Sequence, residues 1–146
     1  MSLLSTMRAS ASALTAERAR MDIVANNVAN INTTRTDTGG PYKRLQVVFS
    51  PDRPQTFMAR FAAFFGRAEM PRGVQVNRIK EDTAPPKFVY DPTHPDADAS
   101  GFVQYPNVDI VQEMTDMMGA TRAYEANVTV MNAAKSMAMR ALDIRA

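Results

Sequence analysis

The sequence contains no cysteine, which excludes disulfides, thiolate nucleophiles and thiolate metal sites together. It holds one histidine, His94, so any histidine-based catalytic or zinc system would have to be built around that imidazole. No apolar run approaches the roughly 20 residues that a membrane-spanning helix requires. Neither sign of charge dominates, with 17 Lys and Arg against 15 Asp and Glu. No basic block stands out, and nucleic acid and anionic membrane are disfavoured as partners. The motifs G-x-x-x-x-G-K-[ST], G-x-G-x-x-G and G-x-S-x-G are missing. Ala9 to Ala13 offers Ala-x-Ala spacings of the signal-peptidase type. However, no charged segment precedes Leu3 and the apolar run before Arg8 is too short. The expectation is no cleaved secretory signal, no cofactor and no enzyme activity.

The 146 residues suffice for one ordinary domain. The longest regular pattern lies at the C-terminal end. In steps of four and three it reads Ile110, Met114, Met117, Thr121, Tyr124, Val128, Met131, Lys135, Ala138 and Leu142, with only Thr121 and Lys135 breaking the apolar stripe. Apolar residues every 3.5 positions make the seam of a coiled coil. Pro106 and Asn107 provide start signals, Asn107 as the cap. Asp109, Glu113 and Asp116 near the start and Lys135, Arg140 and Arg145 near the end suit the helix dipole. Gly119 is the one interior glycine and weakens the helix by roughly 1 kcal/mol.

One apolar seam demands a partner. At the other end the same steps give Leu3, Met7, Ser10, Leu14, Glu17, Met21, Val24, Val28 and Ile31, predicting a helix of about 28 residues, roughly 42 Å long. The two seams can pair with each other as an antiparallel-type coiled coil, or each can pack into an ordinary bundle. The middle of the chain has too little helical pattern to complete a bundle. The first helix should fade where Asn26, Asn27, Asn30 and Asn32 crowd in with Thr33 and Thr34. Asn tolerates the left-handed conformation and bonds neighbouring backbone, so these residues either end the helix or fix register at an interface, as a buried Asn does in coiled coils.

Between the helices, Gly39-Gly40-Pro41 marks a turn. Four short strands are predicted: within Tyr42 to Ser50, Gly73 to Lys80, Lys87 to Tyr90 and Gly101 to Tyr105. The fold class is α+β. Residues 1–35 and 106–146 are expected to form a discontinuous helical domain, and 36–105 a small β-rich outer domain with a Phe-rich insertion near 56–66. There Phe57, Phe61, Phe64 and Phe65 fall at helical spacing, to cover the sheet or, if uncovered, to serve as a docking site.

The densest polar cluster is Asp91-Pro-Thr-His-Pro-Asp-Ala-Asp98. Its His94, Asp91, Asp96 and Asp98 are of metal-ligand type. Yet no second histidine, calcium-loop glycine or distal glutamate accompanies them, and Pro92 and Pro95 favour a rigid turn whose Asp side chains bond local backbone. A small metal-binding or hydrolytic domain centred on His94 is the competing reading. A membrane-surface helix is disfavoured by Asp109, Glu113 and Asp116.

Ala25-Asn-Asn-Val-Ala-Asn30 with Asn32-Thr33, together with Arg122-Ala-Tyr-Glu-Ala-Asn127, resembles the terminal signatures of the bacterial flagellar axial proteins, the rod, hook and related subunits. The combination of Tyr90 to Asp98, Tyr105-Pro-Asn-Val108, Glu113-Met and Lys135-Ser-Met is similar to the proximal rod branch of that family. A neighbouring axial protein such as FlgB would share the terminal pattern without the Asp91 to Asp98 motif. The resemblance implies a structural subunit whose terminal helices pair and line a hollow rod crossing the periplasm, with the β domain further out. It implies export by the flagellar type III apparatus without a cleaved signal. The implied partners are further copies of the chain and FlgB, FlgF, FlgG and FliE, with termini that order on assembly.

Carried over as packing and inter-subunit positions are Asn26, Asn27 and Asn30, and Arg122, Tyr124 and Asn127. Met7, Leu14, Met21, Val28, Ile110, Met114, Met117, Val128, Met131 and Leu142 join them from the seams. Asp91, His94, Pro95, Asp96, Asp98, Tyr105, Pro106 and Asn107 form the structural loop. Pro51 to Met70 departs from the family pattern.

Overall fold

A computed structural model describes residues 3–52, 61 and 72–143. Two long helices enclose four short strands in sequence: α1 (Leu3–Ala29), β1 (Leu45–Pro51), β2 (Val74–Glu81), β3 (Lys87–Tyr90), β4 (Phe102–Tyr105) and α2 (Ile110–Asp143). The class is α+β. The chain divides into two compact units. One comprises Met1–Ala19, Val48–Arg78 and Thr121–Ala146, and the other Arg20–Val47 and Ile79–Ala120.

Helix α1 has no Gly or Pro across 27 residues, and its Ala, Leu, Met, Arg and Glu content favours helix. It closes in the asparagine cluster, where the Asn30 N–H donates to the Asn26 carbonyl at 3.1 Å and the Asn30 side-chain amide to the same oxygen at 2.9 Å. Beyond it, the Thr33 N–H bonds the Asn30 carbonyl at 3.0 Å. Ser10, Ala16 and Val24 are buried on this helix, and Leu3, Met7, Leu14, Glu17, Met21 and Val28 are half-buried.

Helix α2 begins two residues later than the Asn107 cap requires. Asp109 is the capping residue, its Oδ1 accepting from the N–H groups of Val111 at 2.9 Å and Gln112 at 3.3 Å. Pro106 is buried just upstream, and an exposed Asp beside the first free N–H groups favours this start. The inward stripe of α2 also differs by one residue from the sequence reading. Met117, Tyr124, Met131 and Ala138 are half-buried as one row, but the second row is Glu113, Ala120, Asn127 and Ala134, of which all but Asn127 are buried. Ile110, Met114, Thr121, Lys135 and Leu142 are exposed instead, while Val128 is half-buried like Asn127. A step of three taken before a step of four selects this row, and the two apparent interruptions then fall outside it.

Strands β1 and β2 form one two-stranded sheet and β3 and β4 the other. The Asp82 N–H bonds the Arg44 carbonyl at 2.8 Å at one end of the first pair, and the Asp52 N–H bonds the Gly73 carbonyl at 2.9 Å at the other, which sets the strands antiparallel. On β2 Val74 is half-buried, whereas Val76 and Arg78 are exposed. In the first unit, the Ser12 hydroxyl donates to the Ala9 carbonyl at 2.7 Å and accepts from the Val74 N–H at 3.1 Å, tying α1 to the start of β2. In the second unit, β3 and β4 run antiparallel with Val89 opposite Val103 and Tyr90 opposite Phe102. Val103 is fully buried while Phe88, Tyr90 and Phe102 are exposed on the other face, as alternation along a strand requires. Of the Phe-rich segment 56–66, Phe61 is described and is 53% exposed; the rest lies outside the described residues.

Candidate functional site

The second unit contains a buried polar junction assembled from three separate stretches. Asn27, on the last turns of α1, is 1% exposed, and Glu113, on the first turn of α2, is 0% exposed. Between them comes the strand entry Tyr42 to Leu45. The Asn27 carboxamide makes four bonds. Its Nδ2 donates to the Leu45 carbonyl at 2.9 Å and to Glu113 Oε2 at 3.0 Å. Its Oδ1 accepts from the Leu45 N–H at 2.9 Å and from the Tyr42 hydroxyl at 3.0 Å. Toward Leu45 the side chain therefore behaves as a strand neighbour would, and every donor and acceptor of the amide is used.

Arg44 completes the cluster. Its Nε donates to Glu113 Oε1 at 2.6 Å and its Nη2 to Asp116 Oδ2 at 3.3 Å, with the Arg44 side chain 17% exposed. Glu113 and Asp116 are three residues apart on one face of α2, a spacing that lets one guanidinium bridge both. A charge as deeply buried as Glu113 is tolerated only when both oxygens are bonded, and here Asn27 and Arg44 take one each. Burial, and after it the negative charge of Glu113, raises the Tyr42 phenol above its ordinary 10.0. A cleft of about 200 Å³ borders the cluster, lined by Arg20, Asn27, Arg44, Glu113 and Asp116 among others.

The acidic loop is held to the same unit. The Asp91 carboxylate accepts from the Thr93 hydroxyl at 2.7 Å and the Thr93 N–H at 3.1 Å, which lowers its pKa from the ordinary 3.8. Asp98 Oδ1 accepts from the N–H groups of Ser100 at 2.8 Å and Phe102 at 2.9 Å. His94 Nδ1 accepts from the Asp96 N–H at 3.1 Å, so that in the neutral ring the proton sits on Nε2. Its ring meets Tyr105 edge-on at 6.2 Å. Asp96 Oδ2 accepts from the Thr34 hydroxyl at 2.7 Å and its Oδ1 lies 3.9 Å from Arg35 Nη1. The candidate metal donors are thus committed to closing the loop and latching it to residues 34 and 35. Among the described residues no three His, Asp or Glu side chains converge as a metal site, and no described helix is long and apolar enough to cross a membrane.

The other sequence-derived positions fall in two groups. Half-buried are Met7, Leu14, Met21, Val28, Asn30, Met117, Tyr124, Asn127, Val128 and Met131; exposed are Asn26, Ile110, Met114, Arg122 and Leu142. In the loop, Asp91, His94, Asp96, Tyr105 and Asn107 are half-buried, Pro106 is buried, and Pro95 and Asp98 are exposed. Arg44, Tyr42 and Leu45 were absent from the sequence-derived set. Their one available signal was the in-phase row Glu113, Ala120, Asn127, Ala134, which places a carboxylate inside and so requires a cation.

Comparison with known proteins identifies the family. Residues 7–35 match the family described as flagella basal body rod protein, and residues 99–144 match the flagellar basal body rod FlgEFG protein C-terminal family. The chain is 43% identical to the flagellar basal-body rod protein FlgC of Borreliella burgdorferi, over 99% of this chain and 98% of the relative. It is 45% identical to FlgC of Bacillus subtilis over 99% of both chains, and 40% identical to FlgC of Salmonella typhimurium over 99% and 98%. With identity at this level along almost its whole length, the chain belongs to the FlgC family of flagellar basal-body rod proteins.

Proposed function

We propose that the chain is a structural, non-enzymatic rod subunit whose terminal helices pair as a coiled coil on the inner side of the rod, with residues 36–105 directed outward. The observation that carries this reading is the continuous inward stripe along both long helices, which supplies seam positions every three or four residues. In this account the buried junction fixes the end of α1, the entry to β1 and the start of α2 in one register. Stiffness then comes from many repeated apolar contacts.

The partners are further copies of the chain and other rod components, with FlgB, FlgF, FlgG and FliE the expected neighbours. Delivery is by the type III export apparatus without a cleaved signal, and a chain with no cysteine threads a narrow channel with no cross-link to break. Six of the 11 methionines, Met114, Met117, Met118, Met131, Met137 and Met139, lie in α2. Unbranched, polarizable side chains suit packing against unlike partners.

Cells lacking the gene, complemented with Met117→Val and Met131→Val, test this. Rod assembly should fall more than the stability of the isolated chain. Equal losses would contradict the adaptive-packing role, and normal rods in cells lacking the chain altogether would contradict the rod assignment.

A further inference from the structure

His94 holds the acidic loop through an acceptor that exists in only one charge state. Its Nδ1 accepts from the Asp96 N–H at 3.1 Å, and a neutral imidazole offers one acceptor nitrogen whereas the imidazolium offers none. That bond fixes Asp96, whose carboxylate accepts from the Thr34 hydroxyl at 2.7 Å and lies 3.9 Å from Arg35 Nη1. Thr34 stands where the chain leaves α1. Next to it the Thr33 carbonyl accepts from the Tyr42 N–H at 3.0 Å, and the Thr33 hydroxyl donates to Asn30 Oδ1 at 3.1 Å. A relay of polar contacts thus runs from one imidazole to the turn that delivers Tyr42 and Arg44 to the buried junction. All of these residues belong to the second unit.

Around the ring stand Asp91 and Asp96 on its own loop, Tyr105 at the end of β4 and, beyond Asp96, Arg35 from the segment after α1. Asp98 is turned to the N–H groups of Ser100 and Phe102. A proton on Nδ1 would set two donors against each other, ring N–H against the Asp96 N–H. The positive ring is drawn to carboxylates, and that of Asp96 is the anchor for Thr34.

We propose that protonation of His94 unlatches the acidic loop: the Asp96 N–H loses its acceptor, the imidazolium competes with Thr34 and Arg35 for the Asp96 carboxylate, and the segment after α1 is released. The bond to the Asp96 N–H is available only to the neutral ring, so closure is present at high pH and is lost as pH falls through the ring's titration. Asp91, three residues away on the same turn, attracts the cation in either arrangement and sets the midpoint, not the direction. Histidine is the side chain whose charge ordinarily changes between about pH 5 and 8, above the range of carboxylates. With its pKa lowered from 3.8, Asp91 stays ionised throughout.

The test is NMR on the full chain, titrated from about pH 8 to 5. At the neutral end the ring nitrogen shifts should show the Nε2–H tautomer. As the His94 ring titrates, protection of the Asp96 amide, corrected for the intrinsic exchange rate, should fall at least about tenfold with the same midpoint. Protection of the Tyr42 amide should fall with it. His94→Asn replaces the Nδ1 acceptor with an amide oxygen that does not titrate, and Asp96 protection should then stay within about twofold over the same range.

An Nδ1–H tautomer at the neutral end, constant Asp96 protection in the unsubstituted chain, or an equal fall in His94→Asn would overturn the proposal. The tautomer and the titration of the unsubstituted chain are decisive even where His94→Asn does not fold. A fall at Asp96 with Tyr42 unchanged would overturn the release of the segment after α1.

Discussion

The Asn27 carboxamide engages both backbone polar groups of Leu45, accepting from its N–H and donating to its carbonyl, each at 2.9 Å. Eighteen residues apart, the two are joined as neighbouring strands would be, although Asn27 belongs to a helix. The same amide reaches Glu113 across 86 residues of sequence, so one side chain couples both ends of the chain to its middle.

Replacing Asn27 with Ala strands a buried carboxylate oxygen and two backbone groups. The expected loss is about 3 kcal/mol, at the upper end for an unsatisfied buried cluster, read as a lower urea midpoint with unchanged slope. Asn27→Asp should be worse, because it sets a second negative charge beside Glu113. A midpoint equal to wild type for Asn27→Ala would contradict the role assigned to the junction.

Arg44→Ala leaves Glu113 buried without its cation, and a loss of about 3–5 kcal/mol is expected for a broken buried pair. Glu113→Gln in that background should restore part of the loss. A double-mutant cycle should give a coupling of at least about 1 kcal/mol, and additive losses would refute the coupling.

Gly101 adopts φ +80°, and a Cβ there would lie 2.9 Å from Tyr90 Cε2. Gly101→Ala should therefore destabilise the loop between β3 and β4 by roughly 1–3 kcal/mol. At Gly73 the obstacle is steric, since a Cβ would run into Ser12 Oγ. Faster amide exchange at Phe102 is the readout for the first variant and at Val74 for the second.

Two groups give the junction and loop opposite pH limits. Asp91 has its pKa lowered chiefly by the Thr93 hydroxyl, so its contribution is present above the ordinary 3.8 and fades as pH falls through the lowered value. Tyr42 has its pKa raised from 10.0, so its contribution is present below that value and fades as pH rises through the raised one. Thr93→Val should move the Asp91 carboxyl titration, followed by NMR, back upward. An unmoved titration would show that the hydroxyl is not the cause.

Much of the architecture was legible because it rests on local signals. The long first helix, the asparagine cluster that ends it, and the span Lys87–Tyr90 all followed from residue type and spacing. The capping residue was displaced by two because Asn107 and Asp109 are both good caps, and only the backbone path beyond Pro106 separates them. The inward stripe of α2 was read one residue off at Met114, whose apolar side chain outweighed the neighbouring Glu113 in a periodicity count, and at Thr121 and Lys135, which stand beside the small, buried Ala120 and Ala134. The junction was hidden because Arg44 and Glu113 read singly as surface residues and Asn27 as a helix end or an inter-subunit position, and the shared burial becomes possible only once three distant stretches satisfy one another.

The most direct test compares hydrogen exchange of the full chain alone with the same chain in purified basal bodies. The account predicts slow exchange at the Leu45 amide in both states, reporting the Asn27 bond. It predicts that residues 3–19 and 121–143 exchange much more slowly in the rod than in the free chain. Equal protection of the terminal helices in the two states would contradict a rod built by ordering them around a preformed junction.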